Sequence, residues 1–383
     1  MFATAYCCLF SSCFKDEPAN AECDIEQAWI HFDNPQECVW NLSDTLQNIG
    51  SANSDIVFEV RTGTDRTALA PQFKITPGAT ISPASGTPMD FTGGAVIYTV
   101  TSEDREWKRQ YKVSVVERLR TTNDTIEYNF ERYYLYQQPG STAKYYRWSD
   151  YLNEDGSEAN NWDTGNAGFK ITNIMAKPEE YPTVPVIDGG ISGNAVKLVT
   201  RKTGVIGLAY DKPIAAGNLF LGKFVADDAL EDAMKATRFG LPFDKKPVKF
   251  TGYYQYTPGE KFTNQDDNVV EGKTDVGDIY AVLYLNHDSI GNPVVLYGDN
   301  VLTSENIVLL ARVPNVERTD GWKYFEIEFE QRNNNVIDYN LLNNFGYNLA
   351  IVFSSSADGA YFQGAENSTL IIDNVKVICE KTE

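Results

Sequence analysis

Apolar and polar residues alternate in short runs along most of the chain, and turn residues close each run. Alternation with a period of two is typical of half-buried β-strands. In the first third of the chain it is clearest in three runs: DIVFEVRTG (55–63), AVIYTVTSED (95–104) and RQYKVSVVE (109–117). The proline and glycine residues of ITPGATISPASGTP (75–88) mark turns. We therefore predict a small antiparallel β-sandwich over residues 24–118.

A longer unit with the same pattern follows LRTTNDT (119–125), which is typical of a linker. Its clearest strands are NAVKLVTRK (194–202), VKFTGYYQY (248–256), GDIYAVLYLN (277–286), WKYFEIEFE (322–330), NLAIVFSSS (348–356) and STLIIDNVKVI (368–378). DDALEDAMKA (227–236) is one of few helical candidates. The prediction is an all-β protein. An immunoglobulin-like sandwich over 24–118, without a Cys…Trp…Cys core spacing, precedes a larger jelly-roll sandwich over 126–383.

Charge and composition limit the classes of partner and binding site that we expect for this chain. The formal net charge is −20, and a surface this acidic repels phosphate backbones, so nucleic acid is not expected as a partner. The two histidines, His31 and His287, offer little for a metal site, and His287 is expected to be solvated in the turn LNHDSIGN. No apolar run approaches the roughly 20 residues that span a bilayer. Cys23 and Cys38 either form a disulfide in an oxidising compartment or stay free thiols.

The opening stretch MFATAYCCLFSSCFKDEP is typical of a processed leader, although it lacks a basic segment. Residues 9–13, LFSSC, are similar to a lipobox, in which small residues precede a cysteine that becomes lipidated. The following Lys-Asp-Glu resembles the export signal of surface lipoproteins. We therefore expect 1–23 to be a signal segment and tether, with a lipid on Cys13 as the anchor at the outer membrane's cell surface. The alternative is a buried N-terminal strand.

The second unit resembles the putative carbohydrate metabolism domain family through the order of its short motifs. These are YNFERY (128–133), YYRWSDYL (145–152), NNWDTGNAGF (160–169), YPT (181–183), NAVKLVTR (194–201), KFTGYYQYTPGEKF (249–262), DIYAVLYLN (278–286) and STLIIDNVKVI (368–378). The first unit resembles the immunoglobulin-like domain that often precedes it. The resemblance implies a jelly roll related in shape to carbohydrate-binding modules and some glucanases, on a secreted or surface lipoprotein.

Aromatic rings beside amides and acids suit a glycan site, because a sugar presents C–H groups to a ring and hydroxyls to polar groups. Residues 145–166 and the strand 248–256 supply such sets. Alternation puts Tyr254 and Tyr256 on one strand face and Tyr253 with Gln255 on the other, so one pair should be core. The candidate carbohydrate contacts are Trp148, Trp162, Asn166, Arg201, Tyr254 and Tyr256. The alternatives are core positions for the rings and a structural ion pair for Arg201.

Carboxylates offer two further kinds of site. A glycosidase needs two carboxylates about 5–10 Å apart, and strand positions supply Glu260, Asp278, Glu326 and Glu328; a solvated strand face is the commoner role. Jelly-roll binding modules often hold a structural Ca²⁺ between an acid near the first strand and an Asp in the last strand. Glu131 and Asp373 occupy comparable places, and oxygen ligands suit Ca²⁺. The alternative for Asp373 is a metal-free carboxylate held by amide donors.

The leader, the aromatic sets and the family resemblance together predict a surface lipoprotein. It would bind a polysaccharide or oligosaccharide through the jelly roll, with the immunoglobulin-like unit as a spacer and the membrane reached only by the lipid. One alternative is a glycoside hydrolase that uses a pair of carboxylates, although no motif fixes a catalytic residue. Another is a structural adhesin, in which the immunoglobulin-like unit makes protein contacts.

Overall fold

The structure is a computed structural model that describes residues 19–40, 42–51, 53–137, 141–152, 158–159, 161–226, 229 and 232–381. Residues 1–18 of the predicted signal segment and tether, with Cys13, fall outside this range, and residues 19–23 lie within it. Four residues of the expected helix 227–236 also fall outside it, and residues 233–235 form a turn. In the described part of the chain, no helix is both long and apolar enough to cross a membrane. Cys23 and Cys38 are free thiols.

The first sandwich packs two sheets over residues 25–117. Its strands are β1 (Ile25–Trp29), β2 (Leu46–Asn48), β3 (Asp55–Val60), β4 (Gln72–Ile75), β5 (Thr80–Ser82), β6 (Val96–Thr101) and β7 (Lys108–Glu117). One sheet has the order β2-β1-β4 and the other β3-β7-β6-β5. A short helix α1 (Pro35–Cys38) and a 3₁₀ turn (Leu42–Thr45) follow β1. The alternating apolar residues, such as Tyr98 and Tyr111, face inward and are fully buried.

One strand pair in this sandwich differs from the predicted antiparallel arrangement. β3 runs parallel to β7, with Ile56 beside Val113 and Phe58 beside Val115. A parallel pair needs a long crossover between its strands, and the segment between β3 and β7 is long enough to contain β4, β5 and β6. Alternation reports which side chains share a face but not the direction of a neighbouring strand, so the sequence pattern did not reveal this pairing.

The second sandwich contains the remaining strands and helices. Its strands are β8 (Thr125–Tyr128), β9 (Tyr133–Gln137), β10 (Lys144–Trp148), β11 (Trp162–Asp163), β12 (Thr183–Val186), β13 (Ala195–Val199), β14 (Arg201–Lys202), β15 (Ile214–Ala215), β16 (Asn218–Phe224), β17 (Thr237–Phe239), β18 (Leu241–Phe243), β19 (Pro247–Thr257), β20 (Phe262–Thr263), β21 (Asp278–Leu285), β22 (Ile307–Arg312), β23 (Lys323–Glu328), β24 (Glu330–Gln331), β25 (Tyr347–Ser354), β26 (Gly364–Ala365) and β27 (Thr369–Cys379). Its helices are α2 (Asn166–Thr172), α3 (Gly204–Ala209) and α4 (Tyr339–Asn343), with 3₁₀ turns at Pro178–Glu180 and Gly359–Tyr361.

Two large sheets form this second sandwich. One has the order β12-β13-β27-β19-β23, with β8 also paired to β27. The other, which we call the wide sheet, has the order β11-β16-β25-β21-β22-β24, with β17 on β16 and β18 on β25. The main core lies between the sheets and includes Phe250, Ile279, Phe353 and Ile372. The all-β fold class predicted from the alternation, two sandwiches in succession, is thereby confirmed.

Aromatic and arginine side chains join the two sandwiches. The ring of Trp40 packs edge-on against Phe345, with ring centroids 4.9 Å apart. The guanidinium groups of Arg61 and Arg120 lie over the Trp40 ring at 4.3 and 5.4 Å from its centroid. A cation held over a tryptophan face is attracted by the ring quadrupole. His287, which was expected to be solvated, is half-buried at this contact.

The predicted linker, 119–125, lies against the second sandwich. Arg120 donates to the carbonyl of Asn343 at 2.5 Å. The amide of Thr121 donates to both carboxylate oxygens of Asp244, at 3.1 and 3.3 Å. These bonds fix the direction in which the chain leaves the first sandwich, so the linker is held to the second sandwich and is not a free tether.

Candidate functional site

The wide sheet presents one face to the main core and another away from it. Along β21, Ile279, Ala281 and Leu283 belong to the core between the sheets. Tyr280, Val282 and Tyr284 belong to a separate cluster on the opposite, outer face. Because successive side chains alternate, Asp278 shares that outer face with Tyr280. The outer face is therefore the place where polar and aromatic groups of this sheet can meet a ligand.

The outer face has a covered half and an open half. In the covered half, Leu296 and Val301 from the segment between β21 and β22 pack with Val282 and Tyr284. In the open half, a cleft of about 210 Å³ borders Asp278 and Tyr280. We call it the aromatic cleft.

Strand register lines up the floor of the aromatic cleft in two rows. In the first row, Ser354 of β25 stands opposite both Asn218 and Asp278. In the second, Val352 stands opposite both Phe220 and Tyr280, and Tyr280 stands opposite Arg312. A polar row that is half-buried at Asn218 and Ser354 thus lies beside a row whose two rings are buried in the outer cluster.

Helical and loop segments form the walls of the aromatic cleft. Phe169 lies on α2, Tyr210 follows α3, and Phe362 follows a 3₁₀ turn. Tyr210 is 58% exposed, so its ring is available to a ligand without any rearrangement. The cleft therefore combines a rigid sheet floor with an accessible aromatic wall.

A forked ion pair closes one end of the floor. Arg312 Nε donates to Asp278 Oδ1 at 2.9 Å, and Arg312 Nη2 donates to Asp278 Oδ2 at 2.8 Å. Burial raises the pKa of the Asp278 carboxyl, and the guanidinium of Arg312 acts in the opposite direction. A bidentate pair of this kind holds both side chains in one orientation.

A second cleft of about 320 Å³ begins on the other side of Arg312. We call it the arginine cleft. It is lined by Leu302, Thr303, Ser304, Ile307, Leu310, Arg312, Arg332 and Asn333. Because Asp278 borders the aromatic cleft and Arg312 the arginine cleft, the forked pair marks the boundary between them.

The structure places the two predicted tryptophan contacts in the core. Trp148 and Trp162 are each 1% exposed. Trp162 packs edge-on against Tyr128 and Phe130, with centroids 5.2 and 5.4 Å away. The prediction that these rings lie on a groove is therefore corrected: both belong to the buried core between the sheets, and a sugar cannot reach them in this conformation.

The same correction applies to Tyr254 and Tyr256. The predicted alternation on β19 is present, since these rings are 0% and 1% exposed while Tyr253 and Gln255 are half-buried on the other face. β19 lies in the sheet between β27 and β23, and its Tyr254 and Tyr256 point toward the wide sheet. The pair predicted to contact a glycan is the core pair.

Asn166 and Arg201 also lie away from the cleft floor. Asn166 is fully buried; its Nδ2 donates to the carbonyl of Thr183 at 2.9 Å, and its Oδ1 accepts from the amide of Thr183 at 3.1 Å. Its amide therefore fastens the start of α2 to β12. Arg201 is half-buried on β14, and its Nε has no hydrogen-bond partner among the described residues.

Of the four acids considered for hydrolysis, Asp278 borders the aromatic cleft. Glu326 forms an ion pair with Lys249 on the other large sheet, at 2.6 Å, and Glu260 and Glu328 are exposed. A solvated strand face, the commoner alternative, describes Glu326 and Glu328, and Glu260 is solvated in the bend between β19 and β20.

Glu131 and Asp373 face the same loop, residues 188–194. Asp373 Oδ2 accepts from the amides of Ile191 and Ser192 at 2.7 and 3.2 Å, and both oxygens of Glu131 lie 3.1 Å from the amide of Asn194. A Cβ on Gly190 or Gly193 would lie within 2.6 Å of these carboxylates, so the loop wraps them closely. Burial raises the pKa of Asp373, and the nearby charge of Glu131 adds to the effect.

This pair fits a calcium ion in its chemistry. All its side-chain donors are oxygens, which Ca²⁺ prefers, and no lysine or arginine pairs with either carboxylate among the ion pairs of the described residues. Within those residues no group of three or more histidine, cysteine, aspartate or glutamate side chains could hold a metal, so further ligands would come from backbone or water. Calcium at Glu131 and Asp373 stays a prediction.

Comparisons with known proteins agree with this architecture. Residues 129–378 match the model of the putative carbohydrate metabolism domain, and residues 40–115 match that of the N-terminal SGBP domain. A crystal structure from Bacteroides thetaiotaomicron, described as a putative glycoside hydrolase, is 38% identical, covering 96% of this chain and all of its own, with a TM-score of 0.80. Another so described, from Bacteroides vulgatus, is 36% identical, covering 66% of this chain and 98% of its own, with a TM-score of 0.59. No protein of curated function matches the chain.

Proposed function

The chain belongs to the putative carbohydrate metabolism domain family, and from this premise we propose that it binds a polysaccharide or oligosaccharide in the aromatic cleft. The observation that carries the proposal is the exposed ring of Tyr210 on the wall of this cleft, together with the half-buried polar side chains of Asn218 and Ser354 on its floor. Tyr280 and Phe220 are 5% and 1% exposed, so they stabilise the floor of the cleft as part of the outer cluster and are not counted as sugar contacts. Rings and hydrogen-bonding groups in a concave site are the groups that sugars require.

Binding is favoured over hydrolysis by the state of Asp278. A glycosidase acid must carry a proton that it can deliver to the leaving oxygen. Burial raises the pKa of Asp278, but both of its oxygens accept hydrogen bonds from Arg312, at 2.9 and 2.8 Å, so both face the guanidinium and not a leaving oxygen. Asp358, whose charge acts on Asp278, forms an ion pair with Lys273 at 2.8 Å. Because two relatives are described as putative glycoside hydrolases, the control is an assay for the release of reducing ends. We expect this chain to release no reducing ends from a glycan that it binds.

The cellular setting of the proposal is the bacterial surface. The match of residues 40–115 to the SGBP N-terminal domain and the two Bacteroides relatives support a cell-surface protein. We further propose that a lipid on Cys13 anchors it to the outer membrane. The first sandwich would then act as a spacer that holds the aromatic cleft away from the membrane. The contact between Trp40 and Phe345, which fixes the two sandwiches relative to each other, supports such a role.

The test of the binding proposal is affinity electrophoresis against a panel of polysaccharides, followed by titration of those that retard the protein. Tyr210→Ala should weaken binding by roughly threefold to tenfold, because ring contacts are worth on the order of 0.5–1.5 kcal/mol. The matched control is Tyr324→Ala, since Tyr324 is 49% exposed on the other large sheet. Equal losses in the two variants, or no retardation by any glycan, would overturn the proposal. Glycan-independent polymerisation would favour the adhesin alternative.

A further inference from the structure

The arginine cleft differs in charge from the rest of the molecule. The chain carries a formal net charge of −20. Yet two of the residues that line this cleft, Arg312 and Arg332, are cationic, and none of its described lining residues carries a carboxylate. The other polar side chains of the cleft belong to Thr303, Ser304 and Asn333. The cleft therefore offers positive charge and neutral hydrogen-bonding groups at one place on an acidic surface.

Local contacts hold Arg332 where it is. Its amide donates to the carbonyl of Val308 on β22 at 2.8 Å. The next residue, Asn333, donates from Nδ2 to the carbonyl of Ser304 at 2.9 Å, and Asn335 donates from Nδ2 to the carbonyl of Glu305 at 2.8 Å. These amides fasten the loop after β24 to the segment before β22, so the backbone of Arg332 is fixed relative to Arg312.

Both guanidinium groups retain donors for a ligand. The fork to Asp278 uses two of the five N–H donors of Arg312, which leaves three, and its side chain is 43% exposed. The nearest carboxylate of Arg332 is Glu330, at 3.8 Å and with a side chain 75% exposed. An exposed pair at that distance contributes little, so Glu330 competes weakly with a bound anion.

We propose that the arginine cleft recognises an anionic group on the glycan, a uronate carboxylate or a sulfate ester, while the neighbouring sugar rings occupy the aromatic cleft. This inference rests on the proposed function and adds the chemical class of the ligand. Arginine binds carboxylates and sulfate-like anions through paired N–H donors. Repulsion from the acidic surface is limited, because charges more than about 8 Å apart are screened at physiological ionic strength.

Matched pairs of polysaccharides test the proposal on the whole chain. Polygalacturonate and its fully methyl-esterified form differ in the carboxylate charge, and dextran sulfate and dextran differ in the sulfate. The acidic member of at least one pair should bind at least tenfold more tightly than the neutral member, and added salt should reduce the difference. Which pair responds identifies the source of the anion.

Variants make the test specific to the arginine cleft. Arg332→Gln should weaken binding of the acidic member by about tenfold or more, the scale of a lost hydrogen bond to a charged group, and leave a neutral glycan unaffected. Arg318→Gln, the same charge change at an exposed position outside the cleft, should leave both unaffected. Neutral and acidic members that bind equally, or an unchanged affinity in Arg332→Gln, would overturn this inference and leave the proposed function standing. Binding of no glycan at all would overturn the proposed function itself.

Discussion

Ser43 Oγ of the first sandwich lies 2.9 Å from His287 Nε2 of the second. The other ring nitrogen, Nδ1, lies 2.8 Å from Asn286 Oδ1. An amide oxygen only accepts, so Nδ1 carries the proton in the neutral ring and Nε2 accepts from the serine hydroxyl. This hydrogen bond joins the two sandwiches through a titratable group, and burial lowers the pKa of His287 from its ordinary 6.5.

Stability should therefore fall when the solution is acidified. A histidine whose pKa is lowered by folding binds fewer protons folded than unfolded, so its contribution is complete above the unfolded pKa and is lost as the pH falls below 6.5. Melting temperatures measured from about pH 8 to about pH 5 should show this loss in the natural chain and a smaller one in His287→Gln. His31→Gln, at the exposed second histidine, is the control and should keep the loss. An identical pH dependence in all three proteins would contradict this role.

Trp40 should hold the two sandwiches in one arrangement. Removing its ring eliminates the contact with Phe345 and the platform under Arg61 and Arg120. Trp40→Ala should therefore expose the linker, and trypsin should cut after Arg118 or Arg120 at least tenfold faster; a local opening energy reduced by about 1.4 kcal/mol is enough for that factor.

The control for this experiment is Trp107→Ala, because Trp107 is 60% exposed in the first sandwich and its loss should not change cleavage. Mass spectrometry of the fragments locates the cut. Cleavage that accelerates equally in both variants would mean that the tryptophan acts on the stability of the first sandwich and not on the contact.

The fold was predictable because most of its strands have one buried and one half-exposed face. β3, β6 and β7 of the first sandwich begin and end within three residues of the runs that predicted them. β22 was not predicted: its residues Ile307–Ala311 form an apolar run without interruption that is buried on both faces, and this run is shorter than the one of β21, which was predicted. A continuous apolar run has no period to detect, so a strand is assigned to it from its length and flanking residues, and a run of five residues gives little of either.

The cleft was harder to predict, because it depends on which face of a strand meets the other sheet. Alternation correctly placed Tyr254 and Tyr253 on opposite faces of β19. It does not indicate which of the two faces is buried. The ion pair between Asp278 and Arg312 forms because β22 lies beside β21. Since β22 was not predicted from the sequence, this ion pair could not be predicted either. One usable signal was present: Asp278 opens the apolar run IYAVLYL, and a carboxylate at that position needs a partner.

Trp162 should act on stability and not on glycan affinity. Its ring is 1% exposed, and its Nε1 donates to Asp150 at 2.9 Å. Trp162→Ala should lower the free energy of unfolding by about 3–5 kcal/mol, the usual cost of emptying a buried tryptophan site. Urea denaturation measures this loss, and Trp107→Ala should change the free energy by less than about 0.5 kcal/mol. A Trp162→Ala protein of natural stability that no longer binds glycan would restore the original prediction of a sugar contact.

Calcium should stabilise the chain through Glu131 and Asp373. The two carboxylates face one loop, and the charge of Glu131 adds to the raised pKa of Asp373, so a divalent cation would relieve a repulsion that amide donors leave in place. A free Ca²⁺ concentration of about one hundred times Kd stabilises a folded protein by about 2.7 kcal/mol, which corresponds to a rise of about 5–10 °C in Tm for a domain of this size.

Thermal unfolding of chelator-treated protein should show that rise with Ca²⁺ and a smaller one with Mg²⁺, which prefers stricter octahedral geometry. Glu131→Gln should abolish most of the rise, whereas Glu328→Gln, at an exposed acid on the other edge of the same sheet, should not. If Ca²⁺ and Mg²⁺ shift Tm equally in all three proteins, the cations act on the acidic surface in general, and the loop is held by its amide donors alone.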